Sequence, residues 1–127
     1  MTKKNMFRVA AVLMACVMMF SSFSFAVTET HAGATGYVTF ACSAGLTSSS
    51  ASTSSTNGAN YCAVTLSAYY AWTTDTSGGP LYEGPSSDSN QAYGVATASC
   101  SYALAVSAEA YSSHSAPGRS GSLSDRF

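Results

Sequence analysis

The chain has 127 residues, a formal net charge of −1 and charged side chains at only 9% of positions. Beyond residue 26 it carries two arginines against six carboxylates, a net charge of −4. So few cations cannot neutralise many phosphates, which excludes nucleic acid and anionic membrane surfaces as expected partners.

The first element along the chain is a secretory signal peptide, predicted over residues 1–26. A positively charged start, twelve apolar residues at 9–20 and small residues before the cut follow one another in the required order. The apolar run is shorter than the ~20 residues of a membrane-spanning helix. We therefore predict cleavage after Ala26 and no stable membrane span afterwards. Cleavage after Ala32 is the second choice.

The cysteine within this leader offers an alternative. Residues 13–16 (LMAC) loosely resemble a lipoprotein signal, in which Cys16 would carry lipid. Only seven apolar residues precede Cys16, and the chain stays apolar beyond it, so a cleaved signal is favoured. The mature protein is accordingly expected to be secreted and extracellular.

Three segments of the mature chain alternate apolar and polar residues, which is typical of strands with one buried face. They lie within residues 37–116, predicted to be one all-β domain, a small antiparallel sheet or sandwich. Residues 27–36 are predicted to be a short lead and residues 117–127 a flexible tail. The predicted inward faces are Val38, Phe40, Cys42, Ala44 and Leu46; then Cys62, Val64, Leu66, Ala68, Tyr70 and Trp72; then Ala96, Ala98, Cys100, Tyr102, Leu104, Val106 and Ala108.

The third segment also allows a helix. Residues 103–111 (ALAVSAEAY) are rich in alanine, and Leu104, Ala108 and Tyr111 recur at helical spacing. A strand is favoured, because the alternation begins upstream and includes Ser and Thr, which weaken helices.

Two connections join the three segments. The first, residues 47–56, is almost entirely Ser and Thr and precedes Asn57-Gly58, a signal for a hairpin turn. A two-residue turn there would place Cys62 on the same face as Thr53. The apolar face of the first segment would then point away from the apolar face of the second. A bulge would correct the phase, but a loose connection is preferred. The second, residues 74–91, is rich in Gly, Pro, Ser and Asp and is predicted to be a loop with a short strand at Leu81-Tyr82.

The mature cysteines, Cys42, Cys62 and Cys100, all lie on predicted inward faces. In an oxidising compartment one internal disulfide is expected, and the sequence does not choose among the three pairings. The remaining thiol would be buried or would link two chains. A zinc site is not expected, because the short ligand spacings are missing.

No catalytic, metal-binding or cofactor-binding residues are predicted, and an enzyme is not expected. His31 and His114 are the only imidazoles, no G-x-S-x-G motif accompanies them, and His114 is expected to be solvated. The carboxylates are scattered singly rather than paired as in glycosidases. Glu83 and Asp88 would form at most an unspecific calcium site.

Eight tyrosines and one tryptophan supply much of the apolar mass of the mature chain. The favoured interpretation is that these aromatic residues replace scarce Leu and Ile in the core. The alternative is an exposed surface that stacks on sugars or anchors a protein partner. Tyr61, Tyr69, Tyr93 and Tyr111 are the candidate residues of that surface.

These features predict a non-enzymatic extracellular or cell-surface protein. It would bind an unknown protein or cell-envelope partner, or it would self-assemble. Only Glu109 is charged within the three alternating segments, and sheet edges without charges can recruit other copies. The alternative is a bacteriocin-like antibacterial protein acting on the envelope of competitor cells, which the size and the export fit but the acidic balance does not.

Overall fold

The computed structural model of the protein describes residues 26–74 and 76–127, so the predicted signal peptide lies outside the described residues except for Ala26. These ranges form β-strands and turns, and they contain no helix of the length and apolarity needed to cross a membrane. The strands are β1 (Val27–Ala32), β2 (Tyr37–Ala44), β3 (Ser48–Ser55), β4 (Tyr61–Thr74), β5 (Pro80–Tyr93), β6 (Val95–Ser101), β7 (Ser107–Ala116) and β8 (Arg119–Arg126).

The strands form two four-stranded antiparallel sheets that enclose one core, which confirms the predicted all-β class. Sheet A has the order β1-β2-β3-β6, and sheet B has the order β5-β4-β7-β8. The chain crosses between the sheets after β3, after β5 and after β6. Four strands are therefore edge strands, namely β1, β5, β6 and β8.

Even-numbered residues of β2, β4, β6 and β7 point into the core, as the shared phase predicts. Phe40, Leu66, Val38 and Val64 are the largest fully buried apolar side chains. Half of the sixteen core residues are alanines, so few large side chains fill the space between the sheets. Burial of apolar surface contributes about 25 cal/mol per Å², and much of the apolar stabilisation therefore depends on these four residues.

The Ser/Thr run is a strand rather than the predicted loose connection. Residues 48–55 form β3, which lies between β2 and β6 and pairs Thr53 with Phe40. Odd-numbered Ser49, Ala51 and Thr53 face inward, because the β2–β3 register sets even residues opposite odd ones. Asn57-Gly58 lies in the turn that carries the chain to the other sheet, which removes the phase conflict of a two-residue hairpin.

The third alternating segment is two strands, one in each sheet, and not a helix. β6 ends at Ser101, and β7 begins at Ser107. In the connection between them Leu104 is 68% exposed, whereas Ala105 is buried. The predicted inward positions of Leu104 and of Val106, which is also exposed, are therefore wrong.

The predicted lead and tail also contribute strands. β1 pairs along β2, and β8 pairs along β7 after a turn at Pro117-Gly118. Gly118 has a φ of 81°, the left-handed conformation that glycine adopts without strain. Leu123 closes the core, so residues 119–126 are not a flexible tail.

The predicted loop at 74–91 is mostly β5, the edge strand of sheet B. Prolines at positions 80 and 85 are compatible with an edge strand, whose outer side needs no backbone donor. The neighbouring strand β4 extends beyond the region in which the two sheets pack against each other. Tyr70 of β4 stacks on Tyr102 at the border of the core. Trp72, two residues further along β4, is 54% exposed rather than buried.

Cys42, Cys62 and Cys100 are buried free thiols, which corrects the expected disulfide. Cys42 lies on β2 and Cys100 on β6, with β3 between them, so the axes of their strands are about 9–10 Å apart. A disulfide requires Cα atoms within ~7 Å of each other. Cys100 contacts the carbonyl of Ser86, which pairs with Ala68. That position is six residues from Cys62 along β4, about 20 Å.

The third pairing is also out of reach. Cys42 faces Ser112 of β7, whose partner on β4 is Leu66. Leu66 is four residues from Cys62, about 13 Å along the strand. Burial raises the pKa of both the Cys42 and the Cys62 thiols, which keeps them in the unreactive protonated form.

We therefore expect the chain starting at Val27 to contain three unpaired thiols. Alkylation with iodoacetamide in denaturant, without prior reduction, should add three carbamidomethyl groups by mass spectrometry. The same reagent without denaturant should react far more slowly, because the thiols are buried. A species that accepts only one group without reduction would contradict the structure.

Candidate binding surface

The outer face of sheet B carries most of the exposed tyrosines. In β4 and β7 the residues between the buried ones point outward, and the register places Tyr69 opposite Glu109 and Ser67 opposite Tyr111. All four candidate tyrosines, Tyr61, Tyr69, Tyr93 and Tyr111, lie on this face. Tyrosine does not mainly fill the core, because only Tyr70 and Tyr102 pack against it.

A groove lies at one end of this face. It has a volume of about 560 Å³ and is lined by Ser67, Tyr69, Tyr82, Glu109 and Tyr111. The rings of Tyr69 and Tyr111 meet edge to face, with centroids 5.9 Å apart and planes at 84°. Tyr82, 42% exposed, completes the wall and hydrogen-bonds through its hydroxyl to Ser107 Oγ at 2.9 Å.

The one carboxylate of the groove is already paired. Arg126 Nη2 donates to Glu109 Oε1 at 2.8 Å, and the Tyr111 hydroxyl donates to Glu109 Oε2 at 2.9 Å. Hydrogen bonding to Glu109 raises the pKa of Tyr111, so its hydroxyl stays protonated. The groove thus presents three aromatic rings, two of which are held in place by hydrogen bonds, and almost no net charge.

A second aromatic pair lies at the other end of the same face. Tyr61 and Tyr93 are cross-strand partners with ring centroids 5.0 Å apart, and the Tyr61 hydroxyl donates to Gln91 Oε1 at 3.0 Å. Tyr93 is 71% exposed. Tyr61 and Tyr69 are eight positions apart on β4, about 26 Å along the strand. A smaller depression, of about 310 Å³, adjoins the groove and extends across β4, β7 and β8; its lining includes Thr65, Ser67, Ser113, Ser122 and Ser124.

The two histidines occupy different environments, and neither lines the groove. His31 Nε2 donates to Glu29 Oε2 at 3.1 Å, and Arg119 Nη2 donates to His31 Nδ1 at 2.9 Å. The contact with Arg119 joins the edge strands β1 and β8. His114 is only 3% exposed and stacks on Phe40 at 4.8 Å, so the expectation of a solvated residue is wrong.

His114 belongs to a buried hydrogen-bonded chain between the sheets. Thr53 Oγ1 donates to Ala63 O at 2.8 Å, so it accepts from His114 Nδ1 at 2.9 Å. His114 Nε2 then accepts from Ser112 Oγ at 2.7 Å. Burial lowers the pKa of His114, which favours the neutral ring over the imidazolium. Ser112 and His114 lie at the hydrogen-bonding distance of a nucleophile and its base. Both are buried in the core, however, and the group bonded to the other ring nitrogen is the hydroxyl of Thr53 rather than a carboxylate.

Comparisons of the chain with family models, curated proteins and solved structures give no match.

Among residues 26–74 and 76–127, no three His, Cys, Asp or Glu side chains are close enough to hold a metal ion. The sequence identifies the outward phase of Tyr69 but does not identify Tyr82 as a site residue. Tyr82 lines the groove only because β5 pairs with β4. The composition of residues 74–91, which predicts a loop, does not indicate this pairing.

Proposed function

We propose that the protein is a secreted, non-enzymatic module that binds a partner at the cell surface or in the extracellular space. The observation that carries the proposal is the groove of Tyr69, Tyr82 and Tyr111. Its volume lies within the ~300–1,000 Å³ typical of ligand sites. Hydrogen bonds to Glu109 and Ser107 orient two of its rings before any ligand binds, which reduces the entropy lost on binding.

Export is supported by the position of the first strand. β1 begins at Val27, directly after the favoured cleavage position. A cut after Ala26 keeps all of β1, whereas a cut after Ala32 would remove it and expose the edge of β2. The arrangement of β1 on β2 therefore favours the first site.

The positions of the charges favour partner binding over self-assembly through sheet edges. Of the seven Asp, Glu and Arg residues described, only Glu109 lies on an interior strand. Charges on edge strands oppose pairing with other chains. Asp88 of β5 also accepts from the Ser99 amide of β6 at 2.9 Å, and Asp125 of β8 accepts from the Ala44 amide at 2.8 Å. Asp88 thereby occupies an outward donor of the edge strand β6 that another chain would need, whereas Ala44 lies on the interior strand β2.

Binding should depend on the groove tyrosines. The chain starting at Val27 is incubated with cell envelopes from the organism that encodes it, and the bound fraction is measured by sedimentation. Replacing Tyr69 and Tyr111 together by alanine should weaken binding at least about tenfold, since interface aromatic residues dominate binding energy. Tyr37→Ala is the matched control, because Tyr37 is 63% exposed on the outer face of sheet A.

Two outcomes would contradict the proposal. One is an unmodified chain that stays in the supernatant at all concentrations. The other is a Tyr37→Ala variant that loses as much binding as the double variant, which would place the contact elsewhere.

A further inference from the structure

We propose that the ligand of this surface is a neutral, linear polysaccharide. It lies along β4, from the groove of Tyr69, Tyr82 and Tyr111 to the pair of Tyr61 and Tyr93. This inference rests on the proposed function and adds the chemical class and the length of the ligand.

The first argument is the chemistry of the side chains. Tyrosine offers an apolar ring face and a polar hydroxyl on one rigid side chain. A pyranose ring has the complementary surface, with an apolar face of C–H groups and a rim of hydroxyls. Between the aromatic ends the face is lined by hydroxyls such as Thr65, Ser113 and Ser122, which both donate and accept hydrogen bonds.

The second argument is charge. The register places Glu109 and Arg126 as the only Asp, Glu or Arg side chains on the outer face among the residues described, and they neutralise each other at 2.8 Å. An anionic polymer would find no unpaired cation there. A cationic ligand would have to compete with Arg126 for Glu109. A neutral ligand meets neither penalty.

The third argument is length. The two aromatic clusters are about 26 Å apart along β4, so a single sugar or disaccharide cannot contact both. The depression next to the groove shares Ser67 and Tyr111 with it and reaches Thr65, which lies midway along β4 between the two clusters. We call this stretch of the outer face, from the groove past Thr65 to Tyr61, the track. The track offers hydroxyls and few aliphatic groups, unlike the apolar centre of a protein interface.

The first test is affinity electrophoresis of the chain starting at Val27. Native gels contain hydroxyethyl cellulose, galactomannan or dextran, with alginate as the anionic polymer. We expect retardation by at least one neutral polymer and none by alginate. Retardation by alginate alone would overturn the inference. Envelope binding that depends on Tyr69 and Tyr111, without retardation by any neutral polymer, would also overturn it while leaving the proposed function intact.

The second test uses oligosaccharides of the retarding polymer, from two to eight sugar units, measured by calorimetry. Affinity should rise about tenfold or more with length as the chain reaches the second cluster. Tyr93→Ala should weaken binding of the longest chain several-fold more than binding of the shortest, whereas Tyr111→Ala should weaken both. Tyr37→Ala is the control. Equal losses for short and long chains in the Tyr93 variant would exclude the track.

Discussion

Replacing Phe40 by alanine is expected to lower the free energy of unfolding by about 3–5 kcal/mol. Phe40 is the largest of the fully buried side chains, and its ring stacks on His114. Gly121, the cross-strand partner of His114, leaves room for the ring, since a Cβ there would lie 3.1 Å from it. The alanines around this position are too small to refill the cavity, so little relaxation is expected. Total stability of small domains is about 5–15 kcal/mol, so the variant should be largely or partly unfolded at 37 °C.

Urea unfolding followed by tyrosine and tryptophan fluorescence measures this loss. Phe40→Leu should cost much less, because it retains most of the buried volume. Phe127→Ala is the matched control, since Phe127 is 43% exposed at the end of the chain and should change stability by less than about 0.5 kcal/mol. Equal losses at the two phenylalanine positions would contradict the described core.

The parts of the fold that the sequence predicts are those governed by period-two alternation. β2 and the first half of β4 are confirmed in phase, although β2 ends at Ala44 and does not include Leu46, because each buries apolar side chains on one face and polar ones lie on the other. This pattern is local and needs no knowledge of the neighbouring strands.

The sequence does not predict β3, β5 and β8, because these strands lack the alternation of apolar and polar residues. Contacts with neighbouring strands stabilise them instead. β3 buries Ser49 and Thr53, whose hydroxyls bond to Tyr102 and His114, more than fifty residues away. β5 tolerates proline and charge because it is an edge strand. β8 has one large apolar residue, Leu123, and a glycine that accommodates Phe40. Their burial depends on contacts that no short window of sequence contains.

The candidate surface was predictable in part for the same reason. Tyr69 follows from the alternation of β4, but its role as one wall of a groove depends on β5 and β7 lying on either side. The oxidising compartment and the inward positions of the cysteines likewise favoured a disulfide, whereas the distances between the thiols along and across the strands exclude one. Positions along paired strands, and not residue types, decide both outcomes.

Acidification below pH 6.5 is expected to destabilise the protein through His114. Burial holds the pKa of the folded-state imidazole below the ordinary value of 6.5 that the unfolded chain retains. As pH falls below 6.5, the unfolded state therefore binds a proton before the folded state does. The contribution of neutral His114 is complete above pH 6.5 and is lost as pH decreases toward the folded-state pKa. The free energy of unfolding should fall by at most about 1.4 kcal/mol per pH unit in this window.

The structural reason is that protonation places a charge in the core and reverses the hydrogen bond to Ser112. An imidazolium donates from Nε2, so the Ser112 hydroxyl would have to donate instead to Leu123 O, which is 3.4 Å away. Urea unfolding between pH 5 and 7.5 isolates this effect, since most carboxylates titrate below pH 5. His114→Gln should lower stability at pH 7.5 and flatten the slope, whereas His31→Gln, at the exposed contact with Glu29, should retain the slope of the unmodified chain. A slope that disappears in the His31 variant instead would show that the acid sensitivity originates at the β1–β8 edge and not in the core.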